Sequence, residues 1–211
     1  RGHGHPTAEL ALGLMLALAR HISLENVQMH AGVPWQTTVG TDLLGKTLGL
    51  VGLGKLGAKV AKFATAMEMK VLAWSQNLTP ARCDEAGVSY ASKEQLFAES
   101  DFVSIHLVLS PRTRGIVGSA DLARMKPSAF LINTSRGPIV DEAALIEALQ
   151  NRRIAGAGLD VYDSEPLPVE HPLRRLSNVV MTPHLGYVTD STFRVFFRDT
   201  VEDIRAWLDG K

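Results

Sequence analysis

The sequence of 211 residues is poor in several features that assign a chain to a special class. Its one cysteine, Cys83, excludes an internal disulfide and a thiolate-rich zinc site, so a reducing, cytoplasmic setting is expected. Its 22 basic and 22 acidic side chains cancel, so no basic excess indicates a nucleic-acid partner. Its longest apolar run, residues 10–19, is too short for a membrane helix of about 20 residues, and no membrane partner is expected.

The remaining composition is that of an ordinary globular protein, with 45% apolar and 21% charged residues. The apolar run at residues 10–19 contains no polar side chain, so it predicts a helix buried in a core or in a subunit interface. Gly32, Pro34 and Gly40 then interrupt the pattern, and residues 35–44 are interpreted as a loop.

From residue 47 onward, short apolar runs alternate with helical stretches. The apolar runs are mostly continuous, which is typical of strands that are covered on both faces. This alternation predicts an α/β fold with a doubly wound parallel sheet in a single domain. The predicted strands are 47–52, 70–74, 88–90, 102–107, 129–133, 154–159 and 179–182, and the predicted helices are 55–67, 92–99, 119–125, 141–150 and 190–208.

A glycine motif lies between the first predicted strand and the helix that follows it, where residues 52–57 read GLGKLG. Gly52 permits a tight turn, Gly54 lets the backbone approach a pyrophosphate, and Gly57 lets the helix pack closely on the strand. The helix N-terminus adds unpaired N–H groups and partial positive charge. The motif therefore predicts a Rossmann-type dinucleotide site.

The choice between NAD and NADP is left open by the end of the second predicted strand. A carboxylate about 20 residues after the glycine motif usually binds the ribose hydroxyls. Here residues 74–77 read WSQN, which contain no carboxylate, and Arg82 is close in sequence. Ser75 can hydrogen-bond either a free ribose or a 2′-phosphate, so this strand end leaves NAD and NADP open. NAD is the expected cofactor, with NADP as the alternative.

Three ionisable residues follow the last three predicted strands: Arg136, Glu165 and His184. Ligands of open α/β sheets bind beyond the carboxyl ends of the strands, so these side chains are expected to meet there. Arg136 can hold a substrate carboxylate, and His184 can exchange a proton with a carbonyl or hydroxyl oxygen. Glu165 can orient the imidazole. With a hydride carrier, the set predicts interconversion of 2-oxo and 2-hydroxy acids, and no metal site is predicted.

The motifs at residues 133–142 (NTSRGPIVDE), 160–166 (DVYDSEP) and 182–186 (TPHLG) are distinctive in combination. Together with the glycine motif they resemble the D-isomer-specific 2-hydroxyacid dehydrogenases, the family of D-phosphoglycerate dehydrogenase and hydroxypyruvate/glyoxylate reductases. The resemblance extends through nearly all of the chain and implies that Arg136, Glu165 and His184 are catalytic. It implies cofactor contacts from Gly52, Gly54, Lys55, Leu56, Gly57, Ser75, Leu107, Val108, Thr134, Ser135, Arg136, Asp160, His184 and Gly186.

The resemblance also implies roles for individual positions. The backbone at Lys55 and Leu56 would meet the pyrophosphate, and the Asp160 carboxylate would receive the nicotinamide carboxamide. Two positions depart from the family pattern: Ser75 stands where NAD-specific members carry Asp, and Glu68 stands where many relatives have Gly at a helix end. A left-handed Glu68 would cost about 1 kcal/mol, or else the turn differs.

The resemblance further implies a small 2-hydroxy or 2-oxo acid as substrate and a homodimer built partly from the helix at residues 10–19. It implies a separate substrate domain that this chain does not include, so residues 1–211 are expected to form the dinucleotide-binding domain alone. The alternative is a dinucleotide-sensing, corepressor-like interaction module of the same fold. Arg136, Glu165 and His184 favour the enzyme, since sensing needs no proton donor.

Overall fold

The computed structural model describes residues 5–210 and contains one seven-stranded sheet in the order β3-β2-β1-β4-β5-β6-β7. Every pair of neighbouring strands is parallel. The strands are β1 Thr47–Val51, β2 Lys70–Trp74, β3 Ser89–Tyr90, β4 Phe102–Ile105, β5 Phe130–Asn133, β6 Gly156–Leu159 and β7 Val179–Met181. The helices are α1 Pro6–Ala19, α2 Ile22–His30, α3 Lys55–Ala66, α4 Pro80–Glu85, α5 Lys93–Glu99, α6 Ser119–Arg124, α7 Glu142–Gln150 and α8 Asp190–Leu208.

Helices cover both faces of this sheet, which confirms the predicted doubly wound fold. Successive residues of a strand point to opposite faces. On β5, Leu131 accordingly packs in the core under α5, α6 and α7, and Ile132 packs in the core under α1, α3 and α4. The strand order reverses between β1 and β4, and ligands of such sheets bind at this switch point.

The predicted strands and the helices after residue 50 are all present, with ends that differ by one or two residues. The helices that were predicted to begin at Ser92 and Asp141 begin one residue later, because Ser92 and Asp141 are their N-cap residues. Ser92 accepts a hydrogen bond from Gln95 N–H and Asp141 accepts one from Ala144 N–H, each at 3.1 Å. The sequence missed α4, which has only six residues, and α2.

Helix α1 is buried as predicted, with six side chains in the core: Ala8, Ala11, Leu14, Met15, Leu18 and Ala19. It lies directly on β6, because a Cβ atom at Gly158 would stand 3.0 Å from the Cβ of Leu14. Its own sheet therefore covers this buried face, and the part of α1 in a homodimer stays a prediction. Exposed apolar side chains instead lie on α2 and on the following loop, where Trp35 is 72% exposed.

Across residues 5–210, no single helix has the length and apolar character of a membrane span. Helices α1 and α2 meet those two criteria only when they are taken together, and they are bent by 65° at the break between them.

The turn after α3 adopts the left-handed conformation, the first of the two alternatives that the resemblance left open for Glu68. Glu68 has φ +56°, and its N–H donates to the Thr65 carbonyl. Its own carbonyl accepts from Gly45 N–H at 3.0 Å, which ties the end of α3 to the start of β1. A side chain in this region costs about 1 kcal/mol, so the turn keeps its shape at the expense of some local stability.

Candidate active site

A cleft of about 720 Å³ opens at the carboxyl ends of β1, β4, β5 and β6. This is the switch point of the strand order, where a ligand site is expected. Most of the predicted site residues line it: Gly54, Lys55, Leu56, Leu107, Val108, Thr134, Ser135, Arg136, Asp160, His184 and Gly186. Four lining residues were missed by the sequence-based prediction: Thr7, His106, Leu109 and Tyr187.

The conformation of the glycine loop depends on two buried glycines, Gly52 and Gly57. Gly52 has φ +108°, and a Cβ atom there would stand 2.6 Å from the His106 carbonyl oxygen. A Cβ atom at Gly57 would stand 2.1 Å from the Gly52 carbonyl oxygen. Gly54 differs, because no atom lies within 4 Å of its Cβ position. The open space above Gly54 at the start of α3 fits a pyrophosphate.

Replacing Gly54 by valine is expected to weaken NADH binding by about 10-fold or more, over 1.4 kcal/mol, without unfolding the chain. Gly54 has φ −80° and ψ −160°, a conformation that valine adopts readily, and its side chain would project into the open space. Calorimetry with NADH measures the loss, and a thermal unfolding scan checks the fold. An intact Gly54→Val variant that binds NADH as tightly as the wild type would contradict this site.

The loop after β5 is held in shape by Asn133. The Asn133 amide nitrogen donates to the Arg136 carbonyl, and its amide oxygen accepts from Ser135 N–H, both at 3.0 Å. The Ser135 hydroxyl donates to the Leu107 carbonyl across the cleft. The buried Thr134 hydroxyl has no hydrogen-bond partner within residues 5–210, and it lines the cleft. Such an orphaned polar atom fits a ligand with hydrogen-bonding groups, as a nicotinamide has.

His184 and Glu165 form the ion pair that the sequence predicted, with 2.6 Å between His184 Nδ1 and Glu165 Oε2. Each side chain is 34% exposed. The other carboxylate oxygen of Glu165 accepts from Tyr162 N–H at 2.9 Å. Burial alone would raise the pKa of Glu165, but the hydrogen bonds from His184 and Tyr162 and the charges of His184 and Arg136 lower it below its usual value. An ionised Glu165 can only accept, so His184 Nδ1 carries a proton.

The turn that carries His184 is anchored by Asp160, which is fully buried. The Asp160 carboxylate accepts from the Thr182 hydroxyl and Leu185 N–H, both at 2.6 Å, and from Gly186 N–H at 2.8 Å. His184 itself has φ +55°, a strained conformation that these bonds maintain. Asp160 therefore acts as the anchor of this turn, and its contact with the nicotinamide carboxamide stays a prediction.

Arg136 is exposed at the rim of the cleft, and its guanidinium donates to the Ser135 carbonyl at 2.6 Å. Within the described part of the chain it forms no ion pair. Its charge therefore faces solvent on the same cleft as His184. This arrangement can receive a substrate carboxylate beside a proton donor.

Ser75 lies outside the lining of this cleft but close to the glycine loop. Gly52 N–H donates to the carbonyl of Trp74, the residue before Ser75, at 2.8 Å. The next side chain, Gln76, donates to the Arg112 carbonyl at 3.3 Å, so the polar groups at this end of β2 are partly engaged. The position fits the adenine-side ribose, and the contact of Ser75 with the cofactor stays a prediction.

His106 contributes a pH-dependent cost to folding, because burial lowers its pKa to about 4. Its Nε2 lies 2.9 Å from the Ser104 hydroxyl oxygen. The unfolded chain takes up this proton near pH 6.5, so the stabilisation present above that pH is lost as the pH falls towards 4. Between pH 7 and pH 5 the wild type should lose about 2 kcal/mol more than His106→Gln. Urea unfolding at both pH values measures this, and equal losses would contradict it.

The sequence matches a known protein family over most of its length. Residues 12–186 match the family described as D-isomer specific 2-hydroxyacid dehydrogenase, NAD binding domain. The chain belongs to this family. Its cofactor is NAD, in agreement with the expectation from the glycine motif and with the open space at Gly54. The corepressor-like alternative receives no support from these matches.

Individual relatives agree with the family. The D-3-phosphoglycerate dehydrogenase of Synechocystis sp. is 43% identical over 211 residues, which are 99% of this chain and 38% of that protein. The phosphoglycerate oxidoreductase of Vibrio cholerae o395 superposes with a TM-score of 0.93 at 38% identity, over 98% of this chain and 67% of that one. The D-lactate dehydrogenase of Lactobacillus jensenii, solved with NAD+, gives a TM-score of 0.82 at 33% identity, over 98% and 66%. The chain thus spans only part of each relative.

Proposed function

We propose that this chain is the cofactor half of an enzyme that transfers a hydride between NAD and carbon 2 of a small D-2-hydroxy or 2-oxo acid. The observation that carries the proposal is the 2.6 Å Glu165–His184 pair, in which His184 lines the cleft that also contains Gly54 and Arg136. Glu165 lies outside this cleft and lines the neighbouring pocket, which His184 also lines. When bound, the nicotinamide supplies or receives the hydride. The other groups that the reaction needs are side chains of this chain.

Each side chain has one task in this proposal. Arg136 binds the substrate carboxylate through its planar guanidinium and draws electron density from the neighbouring carbonyl. His184 Nδ1–H is committed to Glu165, so Nε2 is the nitrogen that gives a proton to the substrate oxygen during reduction and removes it during oxidation. Glu165 stabilises the charged imidazole by its own charge. Asp160 keeps the His184 turn in place.

The substrate class follows from this arrangement, with support from the relatives. A carboxylate next to a reducible carbonyl is the common feature of acids that both Arg136 and His184 can contact. Reduction of glyoxylate, hydroxypyruvate and pyruvate by the full-length protein tests the proposal through the absorbance of NADH. Turnover of at least one acid is expected, and oxidation of NADH by none would contradict it. Titration with both cofactors tests the preference, since NADP binding ten times more tightly than NAD would reverse it.

A homodimer is the proposed assembly, and α2 rather than α1 would provide most of the surface that contacts the second subunit. Val27 and Met29 on α2 are 63% and 61% exposed, and Trp35 on the next loop is 72% exposed. Such a patch is typical of a protein interface. Sedimentation at micromolar concentration should show a dimer that Val27→Glu dissociates and Val169→Glu, at an 80% exposed position elsewhere, does not. A monomeric wild type would contradict the proposal.

The domain organisation and the location are also proposed. A separate substrate domain, outside this chain, would close over the cleft, in keeping with the 38% to 67% of the relatives that the chain spans. Residues 1–211 would then act as the dinucleotide-binding domain, and residues 1–4 and 211 lie outside the described structure. We place the protein in the cytoplasm, where the Cys83 thiol, whose pKa is raised by burial, stays reduced.

A further inference from the structure

A second imidazole–carboxylate pair lies beside the loop that carries Glu165. His171 Nε2 stands 3.2 Å from Glu142 Oε2, and the two side chains are only 16% and 21% exposed. Glu142 is the first residue of α7, and its other oxygen accepts from Asp163 N–H at 3.3 Å. Neither Glu142 nor His171 lines the cofactor cleft. Glu142 contacts the backbone of the loop that carries Glu165, and His171 contacts Glu142.

The carboxylates of the two pairs, Glu165 and Glu142, accept hydrogen bonds from consecutive backbone amides. Tyr162 N–H donates to Glu165, and the next amide, Asp163 N–H, donates to Glu142. The two amides lie in adjacent peptide planes that meet at the Tyr162 Cα, so a fixed Asp163 N–H limits rotation about ψ of Tyr162. Glu142, a residue outside the cleft, thus holds the plane next to the one that carries the Tyr162 N–H donor of Glu165.

The hydrogen bonds of the Glu142–His171 pair require a ring N–H donor from His171 and two acceptor oxygens from Glu142. His171 Nδ1 accepts from Leu173 N–H at 3.4 Å, so its Nε2 carries the proton and donates to Glu142. Glu142 consequently receives two donors, His171 Nε2–H and Asp163 N–H. A carboxylate can accept both, whereas the amide of glutamine has only one acceptor oxygen. Glu142→Gln must break one of the two bonds.

A close crossing links the same peptide to the Arg136 loop. Gly137 directly follows Arg136, and a Cβ atom on it would stand 2.1 Å from the Tyr162 carbonyl carbon and 2.5 Å from Asp163 N. The pair also has a cost, because Asp163 has a pKa raised by burial and by the charge of Glu142. Placing a negative charge beside another carboxyl group does not favour folding. This fits a role in geometry better than a role in stability.

We propose that Glu142 and His171 are positioning residues that hold the 162–163 peptide, and through it Glu165, in register with His184. The inference rests on the proposed function for its kinetic consequence, but its structural consequence is independent. When Asp163 N–H is released, the Glu165 carboxylate loses its fixed orientation. His184 Nδ1 then loses its constant partner, and the proton in the neutral ring distributes between both nitrogens.

The experiment uses four variants of the full-length protein. Glu142→Gln removes one acceptor, and His171→Asn keeps an oxygen near Leu173 N–H but loses the donor to Glu142. His171→Gln keeps a donor near Glu142. Glu147→Gln, at an exposed position on the same helix, is the control for loss of charge. Two-bond ¹H–¹⁵N spectra of ¹⁵N-labelled histidine report which nitrogen of His184 carries the proton.

The expected result is a single Nδ1–H tautomer of His184 in the wild type, His171→Gln and Glu147→Gln, and mixed tautomers in Glu142→Gln and His171→Asn. In the same two variants kcat for 2-oxo acid reduction should fall about 10-fold while KM for NADH changes less than twofold. An unchanged tautomer and kcat in both would overturn the inference. If Glu142→Gln fails to fold, the two His171 variants decide. If the wild type reduces no acid, the proposed function fails, and the tautomer still decides the inference.

Discussion

Replacing His184 by alanine is expected to lower kcat for 2-oxo acid reduction by about 10²- to 10⁴-fold in the full-length protein. His184 is the imidazole that the 2.6 Å bond to Glu165 orients on the cleft. Among residues 5–210 the other histidine that lines the cleft is His106, whose pKa of about 4 keeps it neutral at neutral pH, so it lacks the second ring proton that an imidazolium donates. The loss is measured as the rate of NADH oxidation at saturating acid.

The control for this variant is Glu147→Gln, at an exposed position on α7 away from the cleft, which should leave the rate unchanged. Glu165→Gln should lie between the two. Its amide oxygen can still accept from His184, but the negative charge that stabilises the imidazolium is gone. Substantial activity in His184→Ala would remove this residue as the proton donor.

The 211-residue chain by itself is expected to bind NADH and yet to reduce 2-oxo acids at least about 50-fold more slowly than the full-length protein. Placing the reactants can account for about 7–11 kcal/mol of a barrier, and losing a third of the lower figure gives this factor. In this chain Arg136 is exposed and Val108, which also lines the cleft, is 83% exposed, so the cleft does not exclude water.

The comparison needs equal cofactor occupancy, so both proteins are assayed at NADH concentrations above their measured dissociation constants. The C-terminal helix α8 also has an uncovered apolar face in this chain. Phe197 and Trp207 on α8 are 69% and 76% exposed. Turnover by the isolated chain at the rate of the full-length protein would show that these 211 residues contain the whole catalytic apparatus.

The sequence was sufficient for the fold because its signals are local. Continuous apolar runs predict covered strands, and GLGKLG between a strand and a helix predicts the loop that Gly52 and Gly57 form. The ends of parallel strands share one edge, so Arg136, Glu165 and His184 could be placed near one another from their positions after three strands. Arg136 and His184 line the cleft, and Glu165 contacts His184 from the neighbouring pocket. Helix α2 was not predicted because none of its side chains is buried, so its sequence has no periodic pattern of apolar residues.

The contacts that hold the site in place could not be predicted, because they join distant parts of the chain. The Thr7 hydroxyl donates to the Gly186 carbonyl at 2.8 Å across 179 residues, and no local pattern marks this pair. Asp160 was assigned to the cofactor, whereas three of its bonds go to the His184 turn. Tertiary packing alone shows that a carboxylate at a strand end anchors a neighbouring loop.

Isotope transfer is the most direct test of the account. NADH that carries deuterium at the reactive position is incubated with the full-length protein and a 2-oxo acid, and the product is analysed by mass spectrometry and chiral chromatography. The account predicts a D-2-hydroxy acid with deuterium at carbon 2, and loss of that product in His184→Ala. A product without the label, or NADH consumption without any hydroxy acid, would contradict hydride transfer at this site, and a labelled product of the L configuration would contradict the D specificity.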